Sequence, residues 1–99
     1  MKQAKKAKRA EKIQSPLRVG ANVLIRTVTL YHTGHVVALD DREILLTDAA
    51  WIADTGRFHD AIKNSTLNEV EPIPGPVMVN RGAVIDVCEW RGARPTVQR

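Results

Sequence analysis

The segment from Trp51 to Arg57 carries the residues whose types and spacing best suit ligand binding. Apolar residues at helical spacing follow it, which predicts a short helix over residues 56–63. Thr55, Gly56 and Arg57 would open this helix and offer free backbone N–H groups beside a guanidinium, a combination that receives phosphate. Trp51 could stack on a base, an interaction worth about 1–3 kcal/mol. The segment therefore predicts a site for an anionic ligand.

A purely structural interpretation of this segment is also open. Trp51 and Phe58 could be core residues in a chain that has few aromatic side chains. Asp54 could then pair with Arg57 and leave no cation free for a ligand. The exposure of Trp51 and the partner of Arg57 decide between the two interpretations.

A second candidate is the polar turn formed by Asn80, Arg81 and Gly82 between two apolar runs. This pattern predicts a β-hairpin over residues 77–87, with Gly82 in the left-handed conformation. Arg81 would contact an anion if the turn faces the ligand and would be solvated otherwise. The predicted ligand-binding residues are thus Trp51, Thr55, Gly56, Arg57, Asn80, Arg81 and Gly82.

The sequence predicts no enzyme, no metal and no cofactor. Cys88 lies in an apolar run typical of a buried thiol, and no serine has a nearby histidine. His32 and His35 bracket a predicted turn and could bind a metal ion together with Asp40 or Asp41 as a third ligand. Polar histidines are common at strand ends, however, so this pattern does not predict a metal site. We therefore expect a binding protein without catalytic residues.

Charge is divided unevenly along the 99 residues, whose formal net charge is +4. Residues 1–18 hold seven basic residues and one acidic residue, and residues 91–99 hold three basic residues. Residues 19–90 hold five basic and ten acidic residues, so the predicted body is acidic. Clustered basic residues bind nucleic acid through its phosphates, although a solubilising tail has the same composition. The predicted nucleic-acid contacts in the tail are Lys5, Lys6, Lys8 and Arg9.

The elements that must position these residues are short strands joined by tight turns. A hairpin is predicted from strands over 35–39 and 43–47, joined by Asp40, Asp41 and Arg42. An earlier strand is predicted over 23–31, and Gly34 is expected to turn the chain with a positive φ. These elements predict one domain over 19–90 with an insertion at 51–76, a flexible basic tail or arm over 1–18, and a basic C-terminal tail over 91–99.

The two turn-containing blocks resemble the paired motifs of the Sm-like family of small ring-forming β-barrels. The resemblance implies a mainly β fold, a strongly bent antiparallel barrel of the Sm-like or SH3-like type with one short inserted helix. It also implies a ring in which the matching arginine helps to hold an RNA base. The first motif is carried by Gly34, Asp41, Leu45, Leu46 and Asp48, and the second by Arg81 and Gly82 between Val79 and Val84.

Residues 51–62 also resemble small phage and prophage proteins of unassigned function. Together these features predict a non-catalytic homo-oligomer that binds RNA or sequesters a small nucleotide signal, as phage-encoded anti-defence sponges do. The alternative is a structural or adaptor protein of a virion assembly. A single cysteine and the lack of a long apolar stretch predict a cytoplasmic protein without membrane contact.

Overall fold

The architecture rests on one antiparallel sheet of six strands. It is known from a computed structural model that describes residues 14–99, so the predicted contacts Lys5, Lys6, Lys8 and Arg9 lie outside the described residues. The elements in chain order are β1 (Asn22–Thr27), β2 (Tyr31–Leu39), β3 (Glu43–Asp54), α1 (Phe58–Asn64), β4 (Glu69–Pro72), β5 (Val77–Asn80), a 3₁₀ turn (Arg81–Ala83) and β6 (Val84–Glu89). The predicted mainly β fold with a short helix is confirmed. No helix within residues 14–99 has the length and apolar character needed to cross a membrane.

The strand order is β4-β3-β2-β1-β6, and β5 also pairs with β3. The long strand β3 organises this sheet because its first half pairs with β5 and its second half pairs with β4. Its other edge pairs with β2 between Ile44 and Ile52, with two register shifts. Among the described residues β6 pairs only with β1, so backbone hydrogen bonds do not close the sheet.

Two hydrophobic cores lie on opposite faces of this sheet. Val23 and Ile25 belong to the first core, whereas Leu24 between them belongs to the second. Side chains alternate between the faces of a strand, so β1 is covered on both sides. This explains why β1 has apolar residues on both of its faces. A strand that covers a single core needs apolar residues on only one face. The second core is covered by α1 and Trp90.

The first turn differs from the prediction. Residues 32–34 are part of β2, and the chain reverses at Val28 and Thr29 instead. Thr27 Oγ1 donates to the carbonyl oxygen of Leu30 at 2.6 Å and accepts from the Leu30 N–H at 3.0 Å, which closes the turn. Gly34 does not have a positive φ. An added Cβ there would lie 3.0 Å from Leu46, so glycine is needed for close packing.

The predicted hairpin over residues 77–87 is wrong. β5 pairs with β3 and β6 pairs with β1, so the two strands lie on different edges of the sheet. The 3₁₀ turn carries the chain from one edge to the other, and Asn80 Oδ1 caps it by accepting from the Gly82 N–H at 2.8 Å. Gly82 is therefore outside the left-handed region that a hairpin turn would require.

The predicted boundaries also change. Residues 51–54 belong to β3, so the insertion between the motifs begins with a strand. The C-terminal segment, residues 91–99, is docked rather than free: Arg99 and Val70 exchange backbone hydrogen bonds of 3.0 and 3.2 Å beside β4. At the other end, Leu17 packs against the first core. The folded unit therefore extends beyond residues 19–90 in both directions.

Candidate ligand-binding site

The two turns singled out in the sequence lie side by side in the structure. The Arg81 N–H donates to the carbonyl oxygen of Arg42 at 2.9 Å, and the Arg81 guanidinium donates to the carbonyl oxygen of Asp40. Between the turns is an open cleft of about 430 Å³. Its walls are formed by Asp41, Arg42, Glu43, Asn80 and Gly82.

The chemistry of this cleft is mixed rather than cationic. Asp40 Oδ1 accepts hydrogen bonds from the backbone N–H groups of Arg42 and Glu43, at 2.7 and 2.8 Å. These bonds stabilise the carboxylate and lower the pKa of Asp40. One guanidinium N–H of Arg81 donates to the neighbouring turn, so the first role of Arg81 here is to hold the two turns together. Carboxylates beside Arg42 weaken the attraction of this cleft for phosphate.

Trp51 is not a core residue. It lies on β3 between His32 of β2 and Glu71 of β4, and 48% of its surface is exposed. Phe58 is 39% exposed and makes an edge-to-face contact with Tyr31, with ring centroids 5.9 Å apart. The structural interpretation, which required both rings to be buried, is wrong for Trp51. A large part of its indole is available for stacking.

The segment that follows β3 leaves Arg57 accessible. Asp54 Oδ1 accepts from the Gly56 N–H at 2.8 Å, and Thr55 Oγ1 donates to the Gly56 carbonyl oxygen. Gly56 has a φ of 68°, the left-handed conformation that glycine adopts without a steric penalty. Arg57 precedes α1 and is exposed, and within residues 14–99 it forms no ion pair with Asp54 or another carboxylate.

The seven predicted ligand-binding residues fall into two groups at opposite ends of β3. Trp51 and residues 55–57 lie at or just after its C-terminal end. Asn80 pairs with Glu43 at its N-terminal end, and Arg81 and Gly82 follow Asn80 in the chain. A single small ligand therefore does not contact both groups in one subunit. The group around Trp51 combines an exposed aromatic ring with an exposed cation, and it is the better candidate.

A polar cluster that the sequence did not indicate lies beside the first core. Arg94 donates to Asn22 Oδ1 and approaches Asp48 Oδ2 at 3.3 Å, and His35 Nδ1 lies 2.9 Å from the same Asn22 oxygen. Asp48 has a φ of 49° at the irregular pairing of β2 with β3. No sequence signal connects residue 94 with residue 22, because their contact depends on docking of the C-terminal segment. The cluster anchors that segment to the sheet.

His32 is buried and Cys88 is half-buried, and neither has the surroundings of a reactive side chain. His32 is 9% exposed, and its Nδ1 has no hydrogen-bond partner among the described residues. Cys88 is half-buried on β6. Burial, and to a lesser extent the negative charge of Asp86, raises the pKa of its thiol. A raised pKa keeps the thiol protonated and a poor nucleophile. Within residues 14–99, no three side chains of the metal-binding types are grouped closely enough to hold a metal ion.

Stability is expected to fall as the pH decreases below about 6.5 because of His32. Burial lowers the pKa of His32 from its ordinary value of 6.5, so the folded state binds its proton less readily than the unfolded state. The unfolded state therefore gains protons first, and the free energy of unfolding decreases through this window. Urea unfolding at pH 7.5 and 5.5 should show a smaller decrease for His32→Gln. The exposed residue His59 supplies the control, since His59→Gln should keep the wild-type decrease.

Comparisons with known proteins add no relative to this geometry, because no family model, no curated protein and no solved structure matches the chain.

Proposed function

We propose that this chain is a non-catalytic, oligomeric protein that binds an anionic ligand of the nucleotide type, either RNA or a small nucleotide signal. The observation that carries the proposal is the exposed Trp51, near the end of β3, together with the exposed Arg57 that follows this strand. An indole provides a stacking surface for any base, and a guanidinium provides charged donors for phosphate oxygens. In this proposal Trp51 holds the base and Arg57 holds the phosphate.

The neighbours of Trp51 support this orientation of the ligand. Glu71 is the register partner of Trp51 on β4, and Glu69 is the partner of Asp54. Carboxylates repel phosphate but accept hydrogen bonds from the amino groups of bases. Glu71 therefore favours a base over Trp51, whereas Arg57 supplies the positive charge that a phosphate requires.

The proposal includes assembly into a ring of Sm-like barrels, encoded by a phage and acting in the cytoplasm of its bacterial host. Support for assembly comes from strand edges that carry no described partner: β6 pairs only with β1, and β5 pairs only with β3. Met78 on β5 and Ile85 on β6 are 54% and 56% exposed. Edges of this kind pair readily with another chain, and a ring would repeat a weak ligand contact once per subunit.

Replacing Arg57 with Ala should weaken binding of a phosphorylated ligand by about 1.5–3 kcal/mol, or about 10- to 150-fold, because a charge-assisted hydrogen bond is lost. Native mass spectrometry would record the subunit number and the binding of a short RNA and of cyclic dinucleotides. Arg42→Ala is the matched control, since Arg42 is also an exposed arginine but lies in the mixed-charge cleft. Equal losses in the two variants would contradict the assignment to Arg57.

The second candidate function is that of a structural or adaptor protein of a virion assembly. The open edges of β5 and β6 favour it directly, because they serve assembly without any ligand. The same measurements separate the two functions. An oligomer that binds none of the offered RNA or nucleotides would support the adaptor function, whereas a ligand lost in Arg57→Ala would support the binding function.

A further inference from the structure

A row of apolar side chains lies uncovered on the sheet, far from Trp51. Ala38 pairs in register with Leu45, and Leu45 pairs with Met78, so one row crosses β2, β3 and β5. The residues on either side of Leu45, Ile44 and Leu46, are fully buried in the first core. Because side chains alternate between faces, the row faces away from that core. Ala38 is exposed, Leu45 is half-buried and Met78 is 54% exposed.

The row forms the floor of a shallow groove of about 160 Å³ with an acidic end. Asp40 and Glu43 line this groove beside the apolar residues. The Asp40 carboxylate accepts hydrogen bonds from two backbone N–H groups, which fix its position at the end of the groove and lower its pKa. No residue of α1 or of the C-terminal segment lines this groove. An apolar floor with a fixed carboxylate at its end is complementary to a basic segment that also carries apolar side chains.

We propose that the occupant of this groove is the chain's own N-terminal segment, residues 1–13. This segment has six basic residues and one acidic residue, whereas residues 19–90 have a net charge of −5. It also carries an apolar residue at every third position: Met1, Ala4, Ala7, Ala10 and Ile13. Charge and apolar content thus match the groove, and the inference is independent of the ligand proposed above.

The position of the described chain allows this contact. Leu17 packs on the first core, and the Gly20 N–H donates to the carbonyl oxygen of Val36 at 2.8 Å. Val36 is two residues from Ala38 on β2, so the chain enters the described fold at a strand that also carries the groove. Leu17 lies on the opposite face, so the segment would reach the groove by passing around the edge of the sheet. Thirteen residues span at most about 45 Å when extended, which exceeds the width of the three-stranded row, about 10 Å.

A second copy is a poorer occupant if its own groove faces this one. Two identical grooves packed face to face would place Asp40 and Glu43 either against the same carboxylates of the other copy, where like charges repel, or against its apolar floor, where they would lose water without a cationic partner. A basic segment instead neutralises these carboxylates. The segment is part of every molecule, so its local concentration at the groove is in the millimolar range, as for a short linker.

The test is photocrosslinking in the full-length protein, with benzoylphenylalanine in place of Met78. Ile85 is the matched control position, because it is equally exposed but lies on β6. We expect crosslinks from position 78 to residues 1–13, identified by mass spectrometry, and at least fivefold fewer from position 85. Adding Glu43→Lys, or raising the salt to about 0.5 M, should reduce the crosslinks from position 78 at least threefold.

Mixing ¹⁴N- and ¹⁵N-labelled protein shows whether a crosslink joins one molecule or two. Crosslinks to residues 1–13 within or between molecules would both support occupation of the groove by this segment. Crosslinks from position 78 to residues 37–45 of another copy would show a face-to-face interface and overturn the proposal. Equal yields from positions 78 and 85, or no crosslink to residues 1–13, would overturn it as well. Circular dichroism of each variant would verify that the sheet is retained.

Discussion

Replacing Trp90 with Ala is expected to lower the free energy of unfolding by about 3–5 kcal/mol. Trp90 is 2% exposed and packs in the second core with Leu24 and Val70. Its Nε1–H donates to the carbonyl oxygen of Ala93 at 3.2 Å, which holds the start of the C-terminal segment. The substitution therefore leaves a large cavity and loosens the segment that covers β4. Urea unfolding followed by circular dichroism would measure the loss without relying on tryptophan fluorescence.

Trp51→Ala is the matched control for this prediction. The chain has two tryptophans, and they lie in opposite environments: Trp90 is buried, whereas 48% of Trp51 is exposed. Removal of Trp51 should cost about 1 kcal/mol or less, as is usual for exposed positions. A loss for Trp90→Ala as small as that for Trp51→Ala would mean that the second core does not depend on Trp90. A loss for Trp51→Ala as large as that predicted for Trp90→Ala would instead contradict the exposed position of Trp51.

The hairpin of β2 and β3 was predictable from the sequence because its signals are local. Asp40 starts the turn, and its side chain accepts from the two following N–H groups, as aspartate does in tight turns. The short helix after Gly56 was predictable for the same reason, since glycine and the apolar spacing that follows are local features. The predicted bounds of 56–63 differ from α1 (Phe58–Asn64) by two residues at its start.

The pairing of β5 and β6 was not predictable from local signals. A short polar turn between two apolar runs is typical of a hairpin, yet here it is a crossover between two sheet edges. Whether β5 and β6 pair with each other or with β3 and β1 depends on which strand edges are free nearby. Only the assembled sheet determines this. The turn at Val28 was missed because the strand-like run continues through it, and the hydroxyl of Thr27 closes it.

The candidate site shows the same division. The exposure of Trp51 could not be deduced from the sequence, because a tryptophan among apolar residues is buried more often than not. Its neighbours along β3, Ala50 and Ile52, are buried in the second core, so Trp51 faces the opposite side of the sheet, beside Glu71. The polar cluster of Asn22, Asp48 and Arg94 joins residues that are distant in sequence. Arg94 reaches this cluster only because the C-terminal segment docks on the sheet.

The contact of Gly34 with Leu46 should make these two positions energetically coupled. Leu46 is fully buried in the first core, so Leu46→Ala should cost about 2–5 kcal/mol through lost packing. A Cβ at Gly34 would lie 3.0 Å from both Cβ and Cδ1 of Leu46, so Gly34→Ala should cost about 1–3 kcal/mol through overpacking. The glycine thus permits the close approach of β2 and β3 at this point.

The double variant tests whether crowding is the cause. Leu46→Ala removes the Cδ1 and Cγ atoms that an added Cβ would meet, and the new methyl group fills part of the cavity. The combined loss should therefore be smaller than the sum of the two single losses by at least about 0.5 kcal/mol in urea unfolding. Gly82→Ala is the control, because its Cβ would meet only the exposed Asn80 side chain, at 3.2 Å. Strict additivity of Gly34→Ala and Leu46→Ala would show instead that the Cδ1 and Cγ contacts are not the cause, which leaves the Cβ of residue 46, retained in alanine at 3.0 Å, as the source of the crowding.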